Sequence, residues 1–118
     1  MVKPSSKILS NVLKSVDQST GLPNSHYIDE TVFRTEKEQL LFKNWCGVGF
    51  GKDVPKIGDV APITFLGLPL LLVRDQFQKV RVFQNTCRHR GMILIEKKSN
   101  VRGTIRCPYH SWCYELNG

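Results

Sequence analysis

Two short segments constrain this chain more than anything else in it: Cys87-Arg88-His89-Arg90-Gly91 and Cys107-Pro108-Tyr109-His110-Ser111-Trp112. Together they read C-x-H-x17-C-x2-H, one thiol and one imidazole in each half. A centre closed by both halves requires two loops that leave strand ends and face each other, so the fold must bring these loops together. Thiolate is a soft anionic donor suited to iron–sulfur clusters or zinc, and imidazole ligates without adding negative charge. The chain has four cysteines, too few for a disulfide scaffold, and Cys87 and Cys107 each lie beside a histidine. In a cytosolic chain that pattern points to metal before disulfide.

Two kinds of centre use this donor set. One is a [2Fe–2S] cluster with two thiolates and two imidazoles; replacing two thiolates by neutral imidazoles makes the cluster less negative and easier to reduce. The other is a structural zinc site, but zinc fingers pair like ligands, C-x2-4-C with H-x3-5-H. Here each half mixes the two types at short gaps, which disfavours a finger and favours the cluster.

The rest of the chain reads as a mainly β protein preceded by one or two N-terminal helices. Ile8, Leu9, Val12, Leu13 and Val16 mark one apolar face of a short helix over 5–16, followed by the breaker cluster Thr20-Gly21-Leu22-Pro23-Asn24-Ser25. Residues 1–25 are therefore expected to form a helical arm and linker, and 26–118 the domain. Thr35 and Glu38 are spaced as a capping box, predicting a helix over 36–44. Short strands are expected at 46–50, 59–66, 68–74, 79–84, 92–96, 102–106 and 112–116, arranged in small antiparallel sheets. Asn117-Gly118 is a two-residue hairpin signal that normally joins two strands. The partner of strand 112–116 is accordingly expected to be missing or to come from elsewhere, and the sequence to be the front part of a longer protein.

The boxes "CRHRG" and "CPYHSWCYELNG" resemble the signature of the Rieske [2Fe–2S] domain, in the form found in ring-hydroxylating and related Rieske non-haem iron oxygenases. Leu22-Pro23, Tyr27, Phe33, Glu36, Glu38, Leu41-Phe42, Trp45 and Val48-Gly49 are similar to that family's entry segment, so the resemblance covers about residues 20–118. It implies the Rieske fold with a cluster-binding subdomain, and one [2Fe–2S] cluster per chain for one-electron transfer. By the same resemblance Cys87 and Cys107 hold a buried iron, and His89 and His110 hold the outer iron that takes the electron. Met92 and Tyr109 stand where respiratory-chain Rieske proteins place the cysteines of a disulfide, and Trp112 where they place a serine donor. A potential toward the low end of the Rieske range follows from fewer hydrogen bonds to sulfur. Ser111 stands where the family most often has Gly, which carries a steric cost if that position needs φ > 0.

The resemblance also implies a C-terminal catalytic domain with a mononuclear Fe(II) site. With His89 and His110 used for the cluster, only His26 is left, so this chain cannot build a two-histidine, one-carboxylate triad. The implied partners are a reductase or ferredoxin electron donor and a catalytic domain of the same or a neighbouring subunit, with a homo-oligomeric, trimeric full-length protein. A standalone Rieske ferredoxin is the alternative. The helical arm and entry segment at 5–45 favour the oxygenase.

The 118 residues, 41% hydrophobic, suit one compact domain. No apolar run approaches the ~20 residues of a membrane span, and no apolar stretch marks a secretory leader. A cytoplasmic protein is expected. The formal charge is +7, and Arg74–Gly118 holds nine basic against three acidic residues. Charge alone fits an acidic partner, such as nucleic acid or an acidic redox protein, or a solvated basic surface; with the cluster reading, no nucleic-acid partner is expected. Arg88 and Arg90, beside a ligand, are candidates for docking. Trp112 is expected to fill core, Cys46 and Cys113 to be plain thiols, and His26 to bind no metal.

Overall fold

The computed structural model describes residues 9–118. The chain divides into two compact units, one ending at Cys46 and the other spanning Gly47–Gly118.

In the first unit, the start of the helix expected over 5–16 lies outside the described residues. From Ser10 the chain forms turns rather than helix, leaving Leu13 and Val16 exposed. A single helical turn, α1 (Ser25–Ile28), leads into α2 (Glu30–Gln39). This second helix starts six residues earlier than the capping-box spacing predicts. Its N-cap is Asp29, whose carboxylate accepts from the N–H groups of Thr31 (2.7 Å) and Val32 (3.4 Å). Those bonds, the first larger than the second, hold the Asp29 pKa below the usual carboxylate value. A carboxylate at the helix N-terminus satisfies free N–H groups and opposes the helix dipole. With no breaker between Glu30 and Gln39, the helix runs through Thr35, whose hydroxyl donates to the Thr31 carbonyl at 3.0 Å. Past Leu40 the chain tightens into a 3-10 turn at Leu41–Lys43.

The second unit is built of antiparallel sheets, with the small sheet carrying the second box. Strands β1 (Asp59–Phe65), β2 (Leu68–Arg74), β3 (Val80–Gln84) and β4 (Ser99–Asn100) form one sheet in the order β3-β2-β1-β4. Strands β5 (Thr104–Arg106) and β6 (Cys113–Glu115) form the other. β1 and β2 meet at a two-residue turn, Leu66-Gly67, both with φ > 0 (52° and 86°), as a primed hairpin turn requires. β2 is central and reads as a nearly continuous apolar run because both its faces are covered. Leu71 and Val73 pack with Val60, Ile105 and Leu116, while Leu72 packs on the opposite face with Val54 and Ala61. The first of these clusters joins the two sheets, so apolar burial fixes the small sheet onto the large one.

The β2–β3 turn is organised by Asp75, fully buried. Its carboxylate accepts from the N–H groups of Phe77 and Lys79, both at 2.8 Å, and pairs with Arg81 at 2.9 Å. Burial pushes its pKa up, but the bonds from Arg81, Lys79 and Phe77 outweigh it and the net shift is downward.

Three of the expected strand features differ from the structure. Residues 46–50 are irregular rather than a strand. Residues 92–96 also form no strand, apart from one bridge between Thr86 and Ile93. The buried Asn85 takes the place of a ladder there: its amide donates to the Ile95 carbonyl (2.7 Å) and accepts from the Ile95 N–H (3.0 Å). Third, the strand after the second box does have its partner within this chain. β6 pairs with β5, Thr104 opposite Glu115, Ile105 opposite Tyr114 and Arg106 opposite Cys113. The Asn117-Gly118 signal points forward along the chain, whereas the hairpin closes backward around the second box.

Asn85→Ala removes both partners of Ile95, and a polar group left unpaired on burial costs about 1–3 kcal/mol. Urea unfolding followed by far-UV circular dichroism should show a loss of that size; a change within about 0.5 kcal/mol, the range of neutral surface substitutions, would contradict this role.

Candidate metal centre

The two boxes fold into the same turn. In the first, the Cys87 N–H donates to the Met92 carbonyl (2.7 Å) and the Gly91 N–H to the Cys87 carbonyl (2.8 Å). In the second, the Cys107 N–H donates to the Trp112 carbonyl (2.7 Å) and the Ser111 N–H to the Cys107 carbonyl (3.1 Å). Each turn closes through a residue four positions after the cysteine, and that residue is left-handed in both: Gly91 at φ 68° and Ser111 at φ 63°. The first turn leaves β3 by way of Asn85 and Thr86; the second is the connection between β5 and β6. Ser111 does occupy a position that needs φ > 0, where an L side chain carries a steric cost.

The turns sort their donors by depth. Cys87 and Cys107 are 4% and 2% exposed, whereas His89 and His110 are exposed. The two imidazole rings stand edge to face with centroids 4.9 Å apart. Among the described residues no three His, Cys, Asp or Glu side chains gather as a group that could hold one metal ion. The donors come as a buried thiol pair and an exposed imidazole pair.

Buried thiolate needs hydrogen-bond donors, and the structure supplies them. The Tyr114 hydroxyl lies 3.1 Å from Cys87 Sγ and accepts from the Arg88 N–H at 3.0 Å. With its oxygen engaged by that N–H, its own proton is free for the sulfur. The Tyr114 bond is the largest influence on Cys87 and lowers its pKa against the effect of burial, helped by the N–H groups of His89 and Arg90. The same bond, with burial, raises the pKa of Tyr114. Sequence reasoning assigns this tyrosine no role. The signal that could have found it is its place two residues after Trp112, on the same face of a strand that leaves a ligand loop.

Other residues fall as follows. Trp112, expected in the core, is 48% exposed and lies parallel to the His89 ring, centroids 5.0 Å apart and planes 3° apart. Tyr109 lies over His110 at 3.8 Å, tilted by 34°. Arg88 and Arg90 are exposed. Cys113 is exposed and donates to the Ser111 carbonyl (3.3 Å); the Cys46 thiol donates to the Leu41 carbonyl (3.2 Å). His26 is half-buried on α1 in the first unit, its Nδ1 without a hydrogen-bond partner.

The donor set fits a [2Fe–2S] cluster of mixed ligation: two thiols inside, one of them stabilised as the anion, and two imidazoles at the surface. The family of the Rieske [2Fe–2S] domain matches residues 44–118. The oxygenase subunit of glycine betaine monooxygenase from Pseudomonas aeruginosa is 32% identical over 117 residues, covering 99% of this chain and 27% of that protein. The alpha subunit of biphenyl 2,3-dioxygenase from Rhodococcus jostii is 32% identical over 110 residues, covering 92% of this chain and 24% of its own length. The crystal structure of the apo form of a quaternary ammonium Rieske monooxygenase superposes with a TM-score of 0.74 at 30% identity, over 85% of this chain and 29% of that one. The chain thus spans about a quarter of the length of the curated relatives it matches.

Ser111→Gly should stabilise the fold. An L residue in the left-handed region costs about 1–2 kcal/mol, and glycine's greater unfolded-state freedom offsets about 0.4–1 kcal/mol of the relief. A net gain of about 0–1.6 kcal/mol should appear as a higher urea midpoint at unchanged slope; a lower midpoint would contradict the conformational argument.

Proposed function

The chain belongs to the Rieske [2Fe–2S] domain family, and on that premise we propose that it is the electron-transfer domain of a Rieske non-haem iron oxygenase, with Cys87, His89, Cys107 and His110 as the cluster ligands. The observation that carries the ligand assignment is the division of donors by depth: a thiol pair at 4% and 2% exposure beneath an exposed imidazole pair. A single tetrahedral zinc would need four donors around one point, and two separate pairs suit a two-iron core better.

When bound, the cluster supplies a one-electron carrier whose potential is raised by its imidazole ligands. The residues around it divide the remaining work. Tyr114 donates to Cys87 Sγ, which draws charge from the sulfur and favours the reduced form. The buried thiols keep water from the sulfur ligands, while His89 and His110 present the electron's point of entry and exit at the surface. Arg88 and Arg90 flank that point with positive charge, which favours an acidic redox partner and speeds its approach.

The proposed partners are a reductase or ferredoxin as donor, and as acceptor a mononuclear-iron catalytic domain of the same or a neighbouring subunit in a homotrimer. The matched relatives support this placement without narrowing the substrate, since a betaine monooxygenase and a biphenyl dioxygenase are equally similar in identity. No helix of the described residues is long and apolar enough to cross a membrane.

The test is metal and sulfide content with electron paramagnetic resonance of the reduced protein. Iron-replete protein should be red-brown, carry about two irons and two sulfides per chain, and give the rhombic signal, average g below about 2, that membership of the Rieske family implies. Cys87→Ser and Cys107→Ser should each abolish it. A colourless protein with stoichiometric zinc after expression in iron-rich medium would overturn the assignment.

A further inference from the structure

The first ligand turn is gripped from one strand. Trp112 immediately precedes β6 and Tyr114 lies within it, two residues on, and side chains at that spacing along an extended chain share a face. Tyr114 contacts Cys87 Sγ and the Arg88 N–H; Trp112 lies flat on His89. Three consecutive residues of the first turn are thereby held by two residues that follow the second. Resting on the cluster reading above, we propose that Trp112 is a positioning residue: its indole fixes the plane of the His89 imidazole and, with Tyr114, clasps the two ligand turns together without a covalent link.

The physical need is specific to this site. An imidazole's rotation about Cβ–Cγ is broad and roughly two-fold, and His89 is exposed, so packing in the core does not set its plane. Met92 and Tyr109 leave no cysteine pair to bridge the turns. A half-exposed tryptophan belonging to neither buried apolar cluster has little reason to be where it is as core. The parallel ring, 3° from the His89 plane, gives it one. Trp112 also lends its carbonyl to the Cys107 N–H, so the residue that closes the second turn is the one whose side chain steadies the first.

The experiment compares the cluster-loaded full chain with Trp112→Phe, Trp112→Leu and Trp112→Ala. Cluster loss is followed by visible absorbance under a chelator, and the g values and midpoint potential of each are measured. Aromatic stacking beyond mere burial corresponds to about a two- to twelve-fold effect, so Trp112→Ala should lose the cluster faster by that factor and shift the g values. Phe should restore both; Leu, which fills space without a ring face, should restore neither. Ala matching the parent, or Leu matching Phe, would overturn the proposal, and if Ala does not fold, the Phe–Leu comparison decides it. The iron-free protein gives a readout independent of the cluster. The stacked indole should move the His89 Hε1 and Hδ2 proton resonances upfield, and Trp112→Leu should return them to ordinary positions. A parent that takes up no iron would defeat the cluster reading alone, whereas unshifted His89 resonances would defeat the clasp.

Discussion

One turn, made twice, underlies the centre. From Cys87 to Gly91 and from Cys107 to Ser111, the last N–H closes onto the cysteine's own carbonyl, and the cysteine N–H closes onto the carbonyl one residue further on. A chain so curled turns its first side chain inward and lifts the intervening histidine outward. It also demands a left-handed residue at its fourth step, which Gly91 meets freely and Ser111 meets at a cost. Burial of the thiols and exposure of the imidazoles follow from that backbone, and so does the contrast between a shielded, hydrogen-bonded sulfur and an accessible imidazole.

The larger sheet holds these turns at a fixed distance. β2 is covered on both faces, and one of its faces shares a core with Ile105 and Leu116 of the small sheet region. The first turn grows from β3, the neighbour of β2, and the second from the β5–β6 hairpin. Packing of Leu71, Val73 and Ile105 therefore sets the approach of the two turns before any metal is considered. Tyr114, on β6, completes the connection with a hydroxyl that touches both the sulfur and the backbone of the opposite turn.

The four proposed donors stand out in the sequence because their chemistry is local: a thiol and an imidazole within a few residues announce a site whatever surrounds them. The β1–β2–β3 meander is legible for a similar reason, since alternation and breakers mark strand ends. What escapes is set by contacts distant in sequence. Asn85 satisfies Ile95 ten residues away and so removes the need for a strand at 92–96. Asp29 outcompetes the Thr35–Glu38 pattern because no Gly or Pro interrupts Glu30–Gln39 and its carboxylate caps the earlier start. β6 finds its partner backward in β5, where the final Asn-Gly points forward. Trp112 reads as core by residue type, yet the surface it covers is an imidazole ring. Ser111 stands out against the usual glycine, and its left-handed backbone gives that departure a physical meaning.

The central claim is that one iron is held by the buried thiols and the other by His89 and His110. Electron–nuclear double resonance on the reduced protein, grown with 15N-labelled histidine, reads this directly. The account predicts two strongly coupled histidine nitrogens, one lost in His89→Cys and the other in His110→Cys wherever a cluster still assembles. A cluster signal with no strongly coupled histidine nitrogen would contradict it.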